Sequence, residues 1–274
     1  MTHTSVWVFK TGADMEKNSG VKSIIKAFAI LEQLNDAEEL SISELSAALE
    51  MDKTTVHRIV NTIKDTGFVS QNPITKKYSN TMKFYAYGKN VLKKNELGDI
   101  ARPYIRQIAQ LTGETANLGI RVDNQVIYID RAQSESGVQV ATTTGRSIPM
   151  YCTGMGKAIM AYLSEDEINS MLSSTELIAY THNTAVTKED VLKQLEDVRK
   201  RKIAIDHEEF EVGLIAFGAP IFNSDGEPIA AISISCPSLR YDRKKQGAFF
   251  EKLLSDAATI ISMKLGYTNN PLQK

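Results

Sequence analysis

Lys53, Thr54, Thr55, His57, Arg58 and Asn61 stand close together in the stretch Asp52 to Asn61, and they carry the groups that read nucleic acid. Hydroxyl, amide and imidazole groups pair with base edges, while lysine and arginine pair with phosphates or guanine. Val56, Ile59, Val60 and Ile63 in the same segment fall at i, i+3, i+4 and i+7, one apolar stripe of a helix. The polar residues therefore occupy the other side. Lys53 and Arg58, near the helix start, are the expected phosphate or guanine contacts; Thr54, Thr55, His57 and Asn61 are the candidate base readers. Asp52 is placed to cap the helix through its carboxylate.

Other residue types suggest chemistries that mostly fail on spacing. Tyr151-Cys152-Thr153-Gly154-Met155-Gly156-Lys157-Ala158 resembles the end of a phosphate-binding loop. That loop needs a glycine where Tyr151 stands and a serine or threonine where Ala158 stands. The four histidines, His3, His57, His182 and His207, show no metal-ligand spacing. Cys152 with His207 could form a nucleophile pair, but a small buried thiol is the commoner state of a free cysteine. Ser233 and Ser235 share one face of an otherwise apolar strand, either satisfied internally or lining a polar pocket. Asp206-His207-Glu208-Glu209 reads as a solvated acidic loop. The glycines at 154 and 156 precede an apolar helix, whose open amides would favour a carboxylate or phosphate. No catalytic residue, metal or cofactor is expected.

The elements around the polar helix are more telling. Ser41-Ile42-Ser43-Glu44 fits a capping box and starts a short helix ending near Met51. Two short helices joined by a few residues form a helix-turn-helix. Residues 21–34 carry Ile24, Ile25, Phe28, Ile30 and Leu31, a third helix expected to cover the pair. Gly67-Phe68-Val69-Ser70 and Tyr78-Ser79 flank an Asn72-Pro73 turn with Lys76 and Lys77 near its tip, a β-wing gripping backbone.

Charge agrees by location. The chain carries −1 overall, but residues 53–94 hold nine lysines and arginines against Asp65 alone, a net of +8. That is the footprint of phosphate neutralisation. A metabolite-binding protein or enzyme whose helix-turn-helix makes only protein contacts is the alternative, and it gives no reason for such a segment. A nonspecific DNA-binding protein would bind operator and random duplex alike. No stretch has the length of a membrane span and residues 1–19 lack an apolar signal region, so neither a membrane location nor secretion is expected. Two distant cysteines, Cys152 and Cys236, fit a reducing cytoplasm.

The pattern predicts a tail at 1–19, a winged helix-turn-helix at 20–81, a linker helix at 82–96, a ligand-sized domain at 97–267 and a tail at 268–274. In that domain a helix at 97–111 leads to strands at 117–122 and 125–131 around Asp123-Asn124, and a further strand at 138–143. Helices at 154–163, 165–172 and 187–202, the last capped by Thr187, precede strands at 203–206, 214–222 and 228–236. A helix at 244–265 closes the chain. Hairpins rather than regular crossovers argue for an antiparallel sheet covered by helices, an α+β fold.

The segments Gly145-Arg146-Ser147-Ile148-Pro149, Thr153-Gly154-Met155-Gly156-Lys157-Ala158, Asp206-His207-Glu208-Glu209-Phe210-Glu211-Val212-Gly213 and Ala230-Ala231-Ile232-Ser233-Ile234-Ser235 follow the winged helix in order. Together they resemble the IclR family of bacterial transcriptional regulators, over about residues 20–267. The resemblance implies a GAF-like α/β effector domain, operator DNA as partner, and dimers through the DNA-binding domains, often joined as tetramers. It implies a repressor of a catabolic operon answering to a small organic or sugar acid. Carried over by position, Gly154 and Met155 would be backbone donors, Asp206, Ser233 and Ser235 polar contacts, and Leu214 and Ala216 the wall. The glyoxylate-responsive member has cysteine at the position of Ala216, so this pocket differs. Ser233 to Arg240 and Met263 to Tyr267 resemble more closely the KdgR branch, which senses 2-keto-3-deoxygluconate. Arg131, Arg146 and Arg240 are further candidates for carboxylate recognition.

Overall fold

The computed structural model describes residues 21–93, 96–133 and 143–268. They divide at Asn95/Glu96 into two compact units. In the first, helices α1 (Lys22–Asp36), α2 (Ile42–Ala48) and α3 (Lys53–Asp65) precede an antiparallel hairpin, β1 (Val69–Gln71) and β2 (Tyr78–Asn80), and helix α4 (Lys83–Lys93). Both caps form. Ser41 and Glu44 make the reciprocal box at 3.2 and 2.7 Å, and the Asp52 carboxylate accepts the Thr55 amide at 2.7 Å. Val56, Ile59, Val60 and Ile63 are buried against Ile30, Leu34, Leu45 and Leu49.

One expectation for this unit is corrected. Ile24 and Phe28 do not cover the helix pair: they are 54% and 56% exposed, and Ala29, Ile30 and Leu34 are the buried residues of α1. The apolar run on α1 is wider than one stripe, so it has an inner and an outer face.

The second unit is a six-stranded sheet of order β5-β4-β3-β8-β7-β6, with every neighbouring pair antiparallel. Its strands are β3 (Thr115–Val122), β4 (Gln125–Ala132), β5 (Ser147–Pro149), β6 (Ala204–His207), β7 (Leu214–Phe222) and β8 (Pro228–Pro237). Helices α5 (Glu96–Thr112) and α9 (Ala248–Lys264) pack on one face, over Leu118, Phe217, Ile232 and Ile234. Helices α6 (Gly154–Met160), α7 (Glu165–Ser174) and α8 (Lys188–Arg201) lie on the other. Alternation along β8 decides which residue meets which layer: Ala230, Ile232 and Ile234 go to the first face, and Ala231, Ser233 and Ser235 to the second.

The turn at Asp123-Asn124 joins β3 to β4 as expected, with Asp123 at φ +51°. Thr187 caps α8 through the Asp190 amide. Several details differ, among them helix α6, which ends at Met160 rather than at 163. Ser147–Pro149 forms the short edge strand β5, too brief to show a period. The last helix begins with a single π turn at Arg243–Gly247 that Asp242 caps, and only then becomes regular. The strand expected at 138–143 lies almost wholly outside the described residues.

Candidate nucleic-acid interface and polar sheet face

Helix α3 presents Lys53, Thr54, His57 and Arg58 as exposed side chains, with Thr55 and Asn61 half-buried. Positions 54, 57, 58 and 61 are spaced i, i+3, i+4 and i+7, the spacing of base readers on a recognition helix. The Asn61 amide nitrogen sits 3.2 Å from Nε2 and 3.4 Å from Nδ1 of His57, so the two side chains brace each other one turn apart. Lys53 and Arg58 have no acidic partner among the described residues, which leaves both charges for a ligand.

The wing lysines are not equivalent. Lys77 donates to Glu44 at 2.9 Å, and this cation together with the Ser41 box holds the Glu44 carboxyl at about 2. Lys77 is thus committed to helix α2, whereas Lys76, at φ +58°, is exposed and unpaired among the described residues. Lys83 is also withdrawn from the basic segment: its ammonium donates to the Thr66 carbonyl and lies 4.4 Å from the Phe68 ring. Sequence reasoning counted these cations together because it had no view of their partners.

In the second unit the expected polar residues align across the sheet. Asp206 pairs with Ala216, Ala216 with Ser235, and Ser235 with Thr115, one row over four strands. The adjacent row runs Gly218, Ser233, Asn117. Asp206, Ser233 and Ser235 are each 2% exposed, Ala216 is buried and Leu214 is half-buried. Asn117 was missed. It is completely buried, and its amide nitrogen donates to Ser233 Oγ at 3.2 Å and Ser235 Oγ at 3.3 Å. An asparagine alternating with Gly119 on an apolar strand was the available signal. Thr115, 1% exposed, keeps an unpartnered hydroxyl oxygen in the same row.

Helix α6 rests directly on this face. A Cβ at Gly218 would stand 2.2 Å from the Gly154 carbonyl oxygen, and one at Gly154 would meet the Ala216 oxygen at 3.1 Å. Backbone therefore touches backbone, which places Gly154 and Met155 against the sheet face that carries Ala216 and Gly218. Thr153 caps the helix by taking the Gly156 amide at 3.2 Å, while the first amides of a helix have no partner within it. Met155 lies over Gly119, where an added Cβ would meet its sulfur at 3.1 Å.

The acidic run after β6 is only half solvated. His207 is exposed and Glu208 half-buried, but Asp206 and Glu209 are buried. Their counter-ion is Lys157, 2% exposed, which contacts Glu209 Oε1 and donates to the Ile205 carbonyl at 2.8 Å and Gln194 at 3.2 Å. A lysine inside an otherwise apolar helix was the sign of such a partner. Burial pushes the Asp206 carboxyl up to about 7, against the opposing pull of Lys157 and of the Glu209 amide, 2.7 Å from Oδ1. Cys152 is fully buried, and burial beside Asp206 and Glu209 raises its thiol well above the ordinary value. With His207 exposed, Cys152 is a packed thiol and not a nucleophile.

The three arginines differ. Arg240 forms a two-pronged pair with buried Glu114 at 3.1 and 2.6 Å, and Arg131 donates to Gln133. Arg146 lies 5.5 Å from the Phe210 ring centroid, above the loop that follows β6. Arg131 stands opposite Asn117 in the strand register and so continues the row of Ser233 and Asn117, while Glu114 holds Arg240.

Comparison with known proteins bears on both halves. Residues 23–73 match the family model for the IclR helix-turn-helix domain, and residues 89–263 that of the bacterial transcriptional regulator IclR C-terminal domain. HTH-type transcriptional regulator KdgR of Escherichia coli (strain K12) is 34% identical over 260 residues, 94% of this chain and 98% of that protein. KdgR of Dickeya chrysanthemi is 34% identical over 94% of this chain and 85% of its own length. The crystal structure of the Thermotoga maritima IclR covers 89% of this chain and 99% of its own, with TM-score 0.68 and 31% identity.

Proposed function

Because the chain belongs to the IclR family, whose members are transcription regulators and not enzymes, we propose that it represses a catabolic operon as a homodimer and responds to a hydroxylated acid of about six carbons. Helix α3 enters the major groove, with Arg58 and Lys53 on guanine or phosphate and Thr54, Thr55, His57 and Asn61 toward base edges. An exposed apolar set in the first unit, Val21 at the start of α1, Ile24 and Phe28 on it, and Met82, Tyr85 and Tyr87, supports pairing of two copies there.

The observation that carries the effector reading is the polarity of the Asn117 bridge. Asn117 Nδ2 donates to both serines, so both hydroxyl oxygens act as acceptors inside the protein. Each hydroxyl proton remains available to a ligand, and what it seeks is an acceptor such as a carboxylate or keto oxygen. The amides of Gly154 and Met155 favour the same negative charge. Asp206 lies two strands from Ser235 in the same row, at about 4.8 Å per strand. Ala216, small and apolar, lies between them. A ligand reaching both must be longer than a two-carbon acid and must offer hydroxyls to Asp206.

Such a ligand changes operator affinity only if it binds the free and DNA-bound arrangements unequally. Fluorescence anisotropy with the duplex upstream of its own gene, against a scrambled duplex at two salt concentrations, tests the first half. Selective, salt-sensitive binding is expected. Titration with keto and sugar acids tests the second, beginning with 2-keto-3-deoxygluconate, the acid that the sequence resemblance implies. Equal affinity for both duplexes refutes sequence-specific regulation; binding unchanged by any six-carbon acid refutes the effector class.

A further inference from the structure

Strand β4 carries a one-residue bulge, and the bulge decides where Arg131 points. Gly119 pairs with Tyr128 and Leu118 with Asp130, so Ile129 has no opposite number on β3. Ahead of it, Val126 and Tyr128 pack into the layer of helices α6 to α8. Ile129 packs into the other layer, beneath α5 and α9. Strict alternation would then send Asp130 to the polar face and Arg131 away from it. The extra residue reverses that phase. Asp130 turns to α5, where its Oδ2 accepts Arg102 Nε at 2.8 Å, while its Oδ1 accepts the Arg131 amide at 2.8 Å. One carboxylate thus ties the bulge to helix α5, and Arg131, opposite Asn117, joins the face of Ser233 and Ser235.

The face therefore has two charged ends. Asp206 stands two strands from Ser235 on one side, and Arg131 two strands from Ser233 on the other, at about 4.8 Å per strand. Between them lie dipoles only, the serine hydroxyls and the first amides of α6. Dipoles alone leave a desolvated carboxylate short of a counter-charge. Lys157 is held by Glu209 and Arg240 by Glu114. Arg131 donates to the neutral Gln133 side chain at 3.1 Å, and a carboxylate would make the stronger, two-pronged bond. We propose that Arg131 selects the effector's carboxylate, so that the acid lies with its charged end toward β4 and its hydroxyls toward Asp206. This inference rests on the effector reading above and adds to it a direction of binding.

The test is calorimetric titration of the full chain with two compounds of one skeleton. These are 2-keto-3-deoxygluconate and 3-deoxyfructose, which has a hydroxymethyl group in place of the carboxylate. Where another six-carbon acid binds more tightly, it and its matching alcohol replace the pair. Wild type should prefer the acid by about 100-fold. Arg131→Gln should cut that preference to about threefold by weakening the acid alone about 30-fold, the size of one charge-assisted pair. Arg131→Lys keeps the charge without the planar fork and should return to within about fivefold of wild type. Wild-type affinity for the acid in Arg131→Gln overturns the proposal. Equal losses for the two compounds overturn it as well, since a residue that only shapes the site would move both. If Arg131→Gln does not fold, Arg131→Lys decides by the same comparison. A wild type that binds no six-carbon acid overturns the effector reading itself, and this inference with it.

Discussion

Replacing Lys157 with methionine should destabilise the second unit far more than its distance from any surface suggests. The side chain is 2% exposed, and methionine fills nearly the same volume, so no cavity opens. What disappears is the cation that Glu209, the Ile205 carbonyl and Gln194 share. Glu209 is itself buried, and its second oxygen already lacks a protein partner. Removing one member of a buried ion pair costs about 3–5 kcal/mol. In a unit of this size each kcal/mol lowers Tm by roughly 2–4 °C, so a loss near 4 kcal/mol predicts a drop of roughly 8–16 °C. Differential scanning calorimetry reads this directly. Adding Glu209→Gln to Lys157→Met should restore at least half of the loss, because the uncompensated charge is gone. A single variant melting within about 2 °C of the parent refutes the reasoning, and a double variant no better than the single one refutes the electrostatic cause.

Three further outcomes are expected. Arg58→Ala should weaken operator binding by about 1–3 kcal/mol without changing the melting curve; unchanged anisotropy titrations would remove Arg58 from the interface. Ser235→Ala should leave operator affinity intact while shifting the effector response to higher concentration, since Asn117 retains Ser233 as a partner; a wild-type response curve counts against the polar row. Asp206 has a folded value of about 7 against an ordinary 3.8, so between those values the folded state holds a proton the unfolded state has released. Stability should therefore fall as pH rises through that interval and level off above it. Asp206→Asn should flatten the slope and gain ~2–4 kcal/mol at pH 8, at about 1.4 kcal/mol per unit. Urea midpoints on both sides of the interval check this, and parallel curves for the two proteins would contradict it.

Most of the first unit was legible because its signals are local. A capping box, a capping aspartate and a four-residue apolar stripe are each decided within one or two helical turns, and all three formed. The wing strands were found from the turn between them. Legibility ended where partners come from far along the chain. Lys77 meets Glu44 across 33 residues, Lys157 meets Glu209 across 52, and Asn117 meets Ser233 across 116. No spacing rule announces such pairs. Ser233 and Ser235 could be placed on one face, but whether they were satisfied internally depended on a strand distant in sequence. The structure shows the internal partner, since one Asn117 amide donates to both hydroxyl oxygens. The acidic run at 206–209 misled because its two ends are buried and its middle is not, and composition averages over that difference.

The seat of helix α6 on strand β7 has a consequence for how such a protein can diverge. Between Gly154 and Gly218 there is no side chain to trim or enlarge, and a methyl at Gly218 would collide with main chain that cannot rotate away. The frame of the site is closed to point substitution there. Ala216, Leu214 and Thr115 are side chains that shape the same face without forming that seat. On the proposed effector reading, a lineage would exchange one acid for another at these positions while the scaffold stays constant, so ligand preference and structural integrity would be inherited at different residues.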